Sequence, residues 1–498
     1  MTFKYKSDHM NGPVKPCTVI FLYQNPGNLE DRPELVSFRR YLGPLLSSCS
    51  FQGKFLESTT LFLPKEDAWI VCVGLGKEEQ ITEARLIDIG AEAVSNLTRL
   101  GIREAYVALP PVDVFGWSKV LELLAIGAKL AIEKTTNYKT SPESKEPYKT
   151  KFLTFQYLGS RDPLEKPQVI LSRAELIATA QLEARVLTDM PPNLLYPASF
   201  AAEAKRVALK HKLKITVWEE EKLVKEGMGG VVAVGISSVN RPALVIIEYP
   251  GRQGSKDLTA LVGKGITFDT GGLQIKSSES MINMKSDMSG AATVLAVINA
   301  CAEFRLSQKV IGIIPLAENH VGSRAYRPGD VIKTFSGQTV EVTNTDAEGR
   351  LILADALSLA QKYKPNVIID IATLTGACSV ALGEKIAGIF SDDPYLQNAL
   401  LDTGISVGEN FWPLPLFKDY EENLESPLAD IKQTVIRAGA AIYAALFLKQ
   451  FVKPPVAWAH LDIAGTARSS HKTPSCPEGV TAFGTRTLLK YLINNSVT

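Results

Sequence analysis

Histidine is nearly missing from this chain. Only His9, His211, His320, His460 and His471 occur among 498 residues, and no two stand at metal-ligand spacing. The absence excludes HExxH and His-Cys zinc patterns, so any metal site must rest mainly on carboxylates. Cysteine is sparse too: six, widely separated, with no CxxC pair, which points to reduced thiols rather than a disulfide framework. No run approaches the roughly 18 apolar residues of a membrane span. The N-terminal MTFKYKSDHMNGPVKPC has no signal-peptide apolar core, and the expected location is the cytoplasm. A net charge of +1 gives no global field toward nucleic acid or membrane. GxSxG and GxxxxGK[ST] are also absent, which disfavours serine-hydrolase and P-loop chemistry.

What remains is an ordinary globular composition, 45% hydrophobic and 21% charged, on a chain long enough for at least two domains. Residues 1–165 alternate strand-like stretches (Thr18–Tyr23, Ala68–Val73) with amphipathic helical ones (Thr82–Arg99, Ser118–Glu133). A long helical pattern, Leu171–Leu187, ends at Met190-Pro191-Pro192-Asn193, which cannot continue a helix. Beyond it, apolar runs at 242–249, 258–266, 310–316, 366–374 and 456–463 alternate with helical segments at 288–304, 351–362 and 438–451. Strands apolar throughout predict a sheet covered on both faces. The expected architecture is α/β. A smaller N-terminal α/β domain (1–165) is joined by a connecting helix (166–195) to a larger C-terminal domain (196–498) with a mixed, largely buried central sheet.

The informative residues fall on the predicted strand-to-helix loops, where open α/β sheets build their sites. Lys264 ends a strand, and Asp269 follows in a Gly-rich loop. Lys276 lies farther along that loop, and Asp287 directly precedes a helix. Asp346 and Glu348 sit in Asn344-Thr345-Asp346-Ala347-Glu348-Gly349-Arg350, before another helix. Four carboxylates balance two divalent cations. In an extended loop Asp346 and Glu348 project to one side, since side chains alternate with period two. Oxygen ligands suit Mn²⁺ or Mg²⁺, and Zn²⁺ accepts them. Such a centre makes a nucleophile at neutral pH and clamps a tetrahedral intermediate. Beside dications Lys264 is expected to lose its proton and act as a ligand. Lys276 is expected to stay charged and stabilise an oxyanion, with Arg350 opening a helix and holding a small anion. Singly, each residue also has an ordinary reading: Asp287 as a helix N-cap, Glu348 and Arg350 as a helix-terminal pair, the lysines as solvated surface. His460, in an apolar run, reads as a buried, hydrogen-bonded core histidine.

These segments also carry a resemblance. VGKGITFDTGG (262–272), Lys276, MKSDM (284–288) and NTDAEGR resemble the signature set of the leucyl aminopeptidases, or cytosol aminopeptidases, of bacterial type. YRPGD (326–330), IATLTGA (371–377) and WAHLDIAG (458–465) match as well, and the likeness covers essentially everything after residue 185. The resemblance implies a metal-dependent aminopeptidase that removes leucine and other N-terminal residues. Its ligands to two divalent ions, Mn²⁺ or Zn²⁺ with Mg²⁺ as an alternative, would be Lys264, Asp269, Asp287, Asp346 and Glu348. Lys276 would be electrophilic, and Arg350 would hold bicarbonate as general base. Met284, Thr373, Gly376 and Ala464 would shape the pocket for the first side chain. The substrate's free α-amine would anchor on one metal, and the assembly would be a homohexamer. Two departures stand out: Arg468, where an aromatic residue is expected, and His320-Val321, where Met-Pro is usual. Some bacterial members also bind DNA; here Lys134, Lys139, Lys145, Lys149 and Lys151 form only a modest basic stretch, for which a solvated linker is the simpler account. Phe268-Asp269-Thr270-Gly271 and Leu401-Asp402-Thr403-Gly404 both read hydrophobic-Asp-Thr-Gly, the mark of an aspartic protease. That class is rejected because the chain is α/β and Asp402 ends a helical pattern.

Overall fold

A computed structural model describes all residues except 8–12, 25–37, 49–50, 111, 113, 133–137, 141–149, 158–163, 165, 253–254, 256, 436–437 and 497–498. Most of the basic stretch (Lys134, Lys145 and Lys149) lies outside the described residues. The chain divides into two compact units. One comprises Met1–Thr179 with His471–Glu478, and the other Ala180–Ser470 with Gly479–Thr498. The division falls inside a 23-residue helix, Pro167–Asp189, where the sequence predicts the connecting helix.

The first unit is built on six strands: β1 (Thr2–Lys6), β2 (Cys17–Tyr23), β3 (Ser58–Leu63), β4 (Ala68–Gly76), β5 (Glu104–Ala108) and β6 (Phe152–Gln156). They pair in the order β1-β6-β5-β2-β4-β3, parallel except for β3 against β4. β2 is buried at every position, as an apolar run covered on both faces should be. The helix Glu83–Arg99 starts where the Thr82 hydroxyl accepts the Arg85 N–H, a side-chain N-cap.

In the second unit β7 (Lys214–Glu219), β8 (Ala243–Tyr249), β9 (Leu258–Gly263), β10 (Gly265–Asp269) and β11 (Lys309–Asn319) come first. A small sheet of β12 (Val331–Lys333), β13 (Thr339–Glu341) and later β17 (Ile431–Lys432) stands apart. β14 (Val367–Ala372), β15 (Ile386–Ser391), β16 (Asn410–Pro413) and β18 (Ala457–Asp462) complete the main sheet. Its order is β16-β15-β18-β14-β9-β11-β8-β7, with β10 paired to β11, and it is mixed: parallel at its centre, antiparallel toward β8 and at β15. Two short strands, β19 (Arg468–Ser469) and β20 (Gly479–Val480), pair antiparallel.

The structure corrects three local expectations. The apolar run 258–266 is two strands, broken at Lys264, because β9 lies between β14 and β11 whereas β10 pairs with β11 alone. Asp269 closes β10 rather than lying in the loop after it. The helix expected from Leu351 begins at Glu348. Glu348 therefore belongs to a helix, and the period-two argument for pairing it with Asp346 does not apply.

Candidate metal centre

The acidic and basic groups of the site lie at the carboxyl ends of strands, in the loop after β10, or at and just before helix starts. Lys264 occupies the one-residue gap between β9 and β10, where its N–H still donates to Ile371 O at 3.1 Å and its carbonyl accepts from Ala291 N at 2.9 Å. The backbone is thus held in the sheet while the side chain turns out of it. Gly271 and Gly272 have φ of +85° and +66°, a turn that only glycine makes cheaply. It folds the loop back so that Lys276 N donates to Thr270 O at 3.0 Å. Asp287 caps a short turn, Met284–Ser286, two residues before the helix Ser289–Phe304. Asp346 precedes, and Glu348 begins, the helix Glu348–Lys362. Helix N-termini favour nearby negative charge, which helps a carboxylate cluster form there.

The five expected ligands meet. Lys264 Nζ lies 2.9 Å from Asp287 Oδ1 and 3.0 Å from Glu348 Oε1, and donates to Thr373 O at 2.8 Å. Lys276 Nζ lies 2.8 Å from Asp269 Oδ2 and pairs with Asp346 Oδ1. Ligand atoms of Asp269, Asp346 and Glu348 all fall within 4.8 Å of one another. Asp287 is no N-cap: its Oδ1 accepts from the Thr373 hydroxyl at 2.6 Å as well as from Lys264.

The electrostatics describe a site short of positive charge. Four carboxylates face two ammonium groups, a formal balance of −2. Burial pushes Asp287 up to about 8, reinforced by Glu348 and Asp269 and only partly relieved by Lys264. Burial likewise raises Asp269 to about 6. Burial opposes charge on Lys264, but Asp287, Glu348 and Asp269 outweigh it and hold the ammonium above the ordinary lysine range. The neutral form that the sequence reading expects of Lys264 would therefore arise only with cations bound. Glu348 is the exception among the acids: Lys264 and Lys276 overcome its burial and keep it ionised.

Do these residues fit divalent cations? Asp287 Oδ2 and Glu348 Oε2 are buried with no hydrogen-bond partner. Such oxygens are costly unless something cationic or a donor meets them. With the −2 balance and an all-oxygen set plus one amine, the fit to two divalent ions is good.

Sequence reasoning missed the scaffold around these groups. Asn319 Nδ2 donates to Asp269 Oδ1 at 2.7 Å and to Thr345 O at 3.0 Å, and Tyr326 OH donates to Thr345 O at 2.7 Å. Gln433, fully buried, donates to Ala347 O at 2.9 Å and accepts from the N–H groups of Thr343 and Asn344. These bonds span tens of residues, and no local pattern announces them.

Met284, Thr373, Gly376 and Ala464 line one cavity of about 660 Å³ together with Lys264, Asp269, Lys276, Asp287, Asp346 and Glu348. Arg350 is the residue set apart. It is buried and is not among the residues lining that cavity. Its Nη1 donates to Gln433 O at 3.0 Å, and its Nε has no partner. His460 is a core residue, as expected: fully buried, with Nδ1 2.5 Å from Asp370 Oδ1. Asp402 lies within the helix Pro394–Ser406, so no second Asp-Thr-Gly loop exists there.

A covered, mixed α/β sheet that gathers carboxylates and lysines at its strand ends defines a class: α/β enzymes with a centre suited to divalent cations. Comparison narrows the class. The profile of the cytosol aminopeptidase family, catalytic domain, matches residues 183–489, and that of the family's N-terminal domain matches 19–142. A "Probable cytosol aminopeptidase" of Desulfovibrio desulfuricans is 44% identical over 426 residues, 84% of each chain. One from a Geobacter species is 39% identical over 91% of each. Among solved structures, a mutant tomato leucine aminopeptidase superposes with a TM-score of 0.89 at 30% identity, covering 99% of this chain and 97% of its own. A bottromycin maturation enzyme in complex with Mn gives 0.85 at 30% identity, covering 97% and 100%. The chain belongs to the cytosol aminopeptidase family and is a peptidase of the aminopeptidase type.

Proposed function

We propose that this protein is a two-metal aminopeptidase that releases leucine and other residues from peptides with a free N-terminus. The observation that carries the reading is the pair of buried, unpartnered oxygens on Asp287 and Glu348 within a cluster of formal charge −2. Lys264, Asp269, Asp287, Asp346 and Glu348 would hold two divalent ions, Mn²⁺ or Zn²⁺, with Mg²⁺ as an alternative. When bound, the ions supply Lewis-acid polarisation of the scissile carbonyl and an acidified water.

This chain's residues then have distinct tasks. Lys276, kept charged by Asp269 against the cost of its burial, would donate to the oxygen that becomes negative at the reacting carbonyl. Thr373 orients Asp287 through its hydroxyl and Lys264 through its carbonyl. Arg350, with an unpartnered Nε, would hold bicarbonate, which would supply a general base. Met284, Thr373, Gly376 and Ala464 form the walls for the first side chain. A requirement for a free amine follows from anchoring that amine in the centre. The protein would act in the cytoplasm as a homohexamer.

Lys276→Ala separates these roles. The variant should lose on the order of 100-fold or more in kcat, the usual cost of one oxyanion donor, while bound Mn²⁺ by elemental analysis stays near the parent level. An unchanged kcat would refute the electrophilic role.

A further inference from the structure

Among the described residues Arg468 is the one basic side chain of this pocket that forms no ion pair with the acidic centre. It opens β19, where its backbone pairs with Val480, and it lines the same 660-Å³ cavity as the acidic centre, together with Ala464, Ala467 and Ser379. Its side chain is half-buried, and Nη1 is buried with no hydrogen-bond partner. Among the described residues no carboxylate forms an ion pair with it.

A guanidinium nitrogen removed from water without an acceptor is costly, and none of the described residues supplies one to Nη1. Its planar fork of N–H donors matches a carboxylate, which can accept two parallel hydrogen bonds. Two parts of the cavity lining are therefore chemically different. The carboxylate cluster is acidic and fitted to cations, and Arg468 offers the cavity a cation with an unsatisfied donor. The acidic centre already accounts for the amine and the scissile carbonyl. An anion arriving at Arg468 must be carried by the remainder of the substrate.

We propose that Arg468 is a specificity-determining residue that receives a carboxylate of the substrate. The inference rests on the aminopeptidase reading and deepens it. The carboxylate has two sources: the side chain of an N-terminal glutamate or aspartate, or the terminal carboxylate of a dipeptide. Arg468 shares its cavity with Met284, Thr373, Gly376 and Ala464, the walls assigned to the first side chain, which favours the former.

The test is a set of kcat/KM ratios with Mn²⁺ for the protein and its Arg468→Gln and Arg468→Lys variants. Glutamic acid α-amide is compared with glutamine α-amide, and leucyl-glycine with leucyl-glycine-amide; leucine-amide is the reference. In Arg468→Gln one charged-to-neutral ratio should fall on the order of 10-fold to 100-fold, the usual cost of a lost charge-assisted hydrogen bond. Leucine-amide carries no carboxylate, so its kcat/KM should fall by a smaller factor than that ratio. Arg468→Lys should recover part of the loss. A fall in the glutamate ratio identifies the side chain, and a fall in the dipeptide ratio identifies the terminus. If leucine-amide is cleaved normally and neither ratio moves, the proposal is overturned and the aminopeptidase reading stands. If the parent protein cleaves none of these substrates, that reading fails and the proposal falls with it.

Discussion

Gly349 shows how little room the centre leaves. A Cβ at this position would come within 2.5 Å of Lys264 Cε and 2.7 Å of its Nζ. The obstructed group is the end of a flexible side chain, so the fold can absorb a methyl by moving it. Yet that Nζ is pinned by Asp287, Glu348 and Thr373 O. Gly349→Ala should therefore leave the unfolding midpoint within about 1–3 kcal/mol of the parent while lowering Mn²⁺ retention and kcat together. Retained metal and activity would show that Lys264 is not needed where it lies. His460 gives a second prediction. Burial disfavours its charge, but Asp370 and then Asp462 outweigh that and raise its pKa above 6.5. A histidine with a raised folded pKa contributes stability that is complete below the unfolded value and is lost as pH rises through the folded one. The stability gap between the protein and His460→Gln, read by urea unfolding, should be widest below about pH 6.5 and narrow above it. A gap that widens with pH would contradict this. At this scale the site was legible because Lys264, Asp269, Lys276, Asp287, Asp346 and Glu348 cluster at loop ends in sequence. Asn319 and Gln433 were not, because their importance lies in bonds to residues far along the chain.

The helix Glu348–Lys362 carries Glu348 and Arg350 on its first turn, and its placement is fixed farther along by Asp355. This fully buried carboxylate accepts from Phe335 N at 2.7 Å on one oxygen and from Val231 N at 3.0 Å on the other. Burial, only partly offset by those N–H groups, raises it to about 7. Asp355→Asn would turn an NH₂ toward one of those N–H donors, losing a bond and opposing two donors. The expected cost is about 1–3 kcal/mol of unfolding free energy, read from a urea midpoint at pH 7.5, and an unchanged midpoint would show that the tie is dispensable. Element boundaries explain where sequence reading stopped short. The start at Glu348 was hidden because Ala347 offers no side-chain cap and Gly349 is a poor helix former, so the apolar period becomes visible only at Leu351. The break at Lys264 was hidden because Val262 and Ile266 continue an apolar pattern across it; only the pairing partners change.

Over the whole molecule, the alternation of strands and helices and the long helix after residue 166 were enough to read an α/β chain with a smaller first unit. The sheet order was beyond reach, since every fully buried strand looks alike from its own residues. No helix among the described residues is long and apolar enough to cross a membrane. The proposed hexamer should sediment at six times the 54.2-kDa chain mass, and a monomer at micromolar concentration would exclude it. The central claim is a metal-dependent attack that requires a free substrate amine. It is tested most directly by comparing leucine-amide with N-acetyl-leucine-amide in Mn²⁺, before and after chelation. Rapid release from the first, none from the second, and loss of activity on chelation restored by Mn²⁺ is the predicted result. Equal turnover of the blocked substrate, or full activity in chelator, would contradict it.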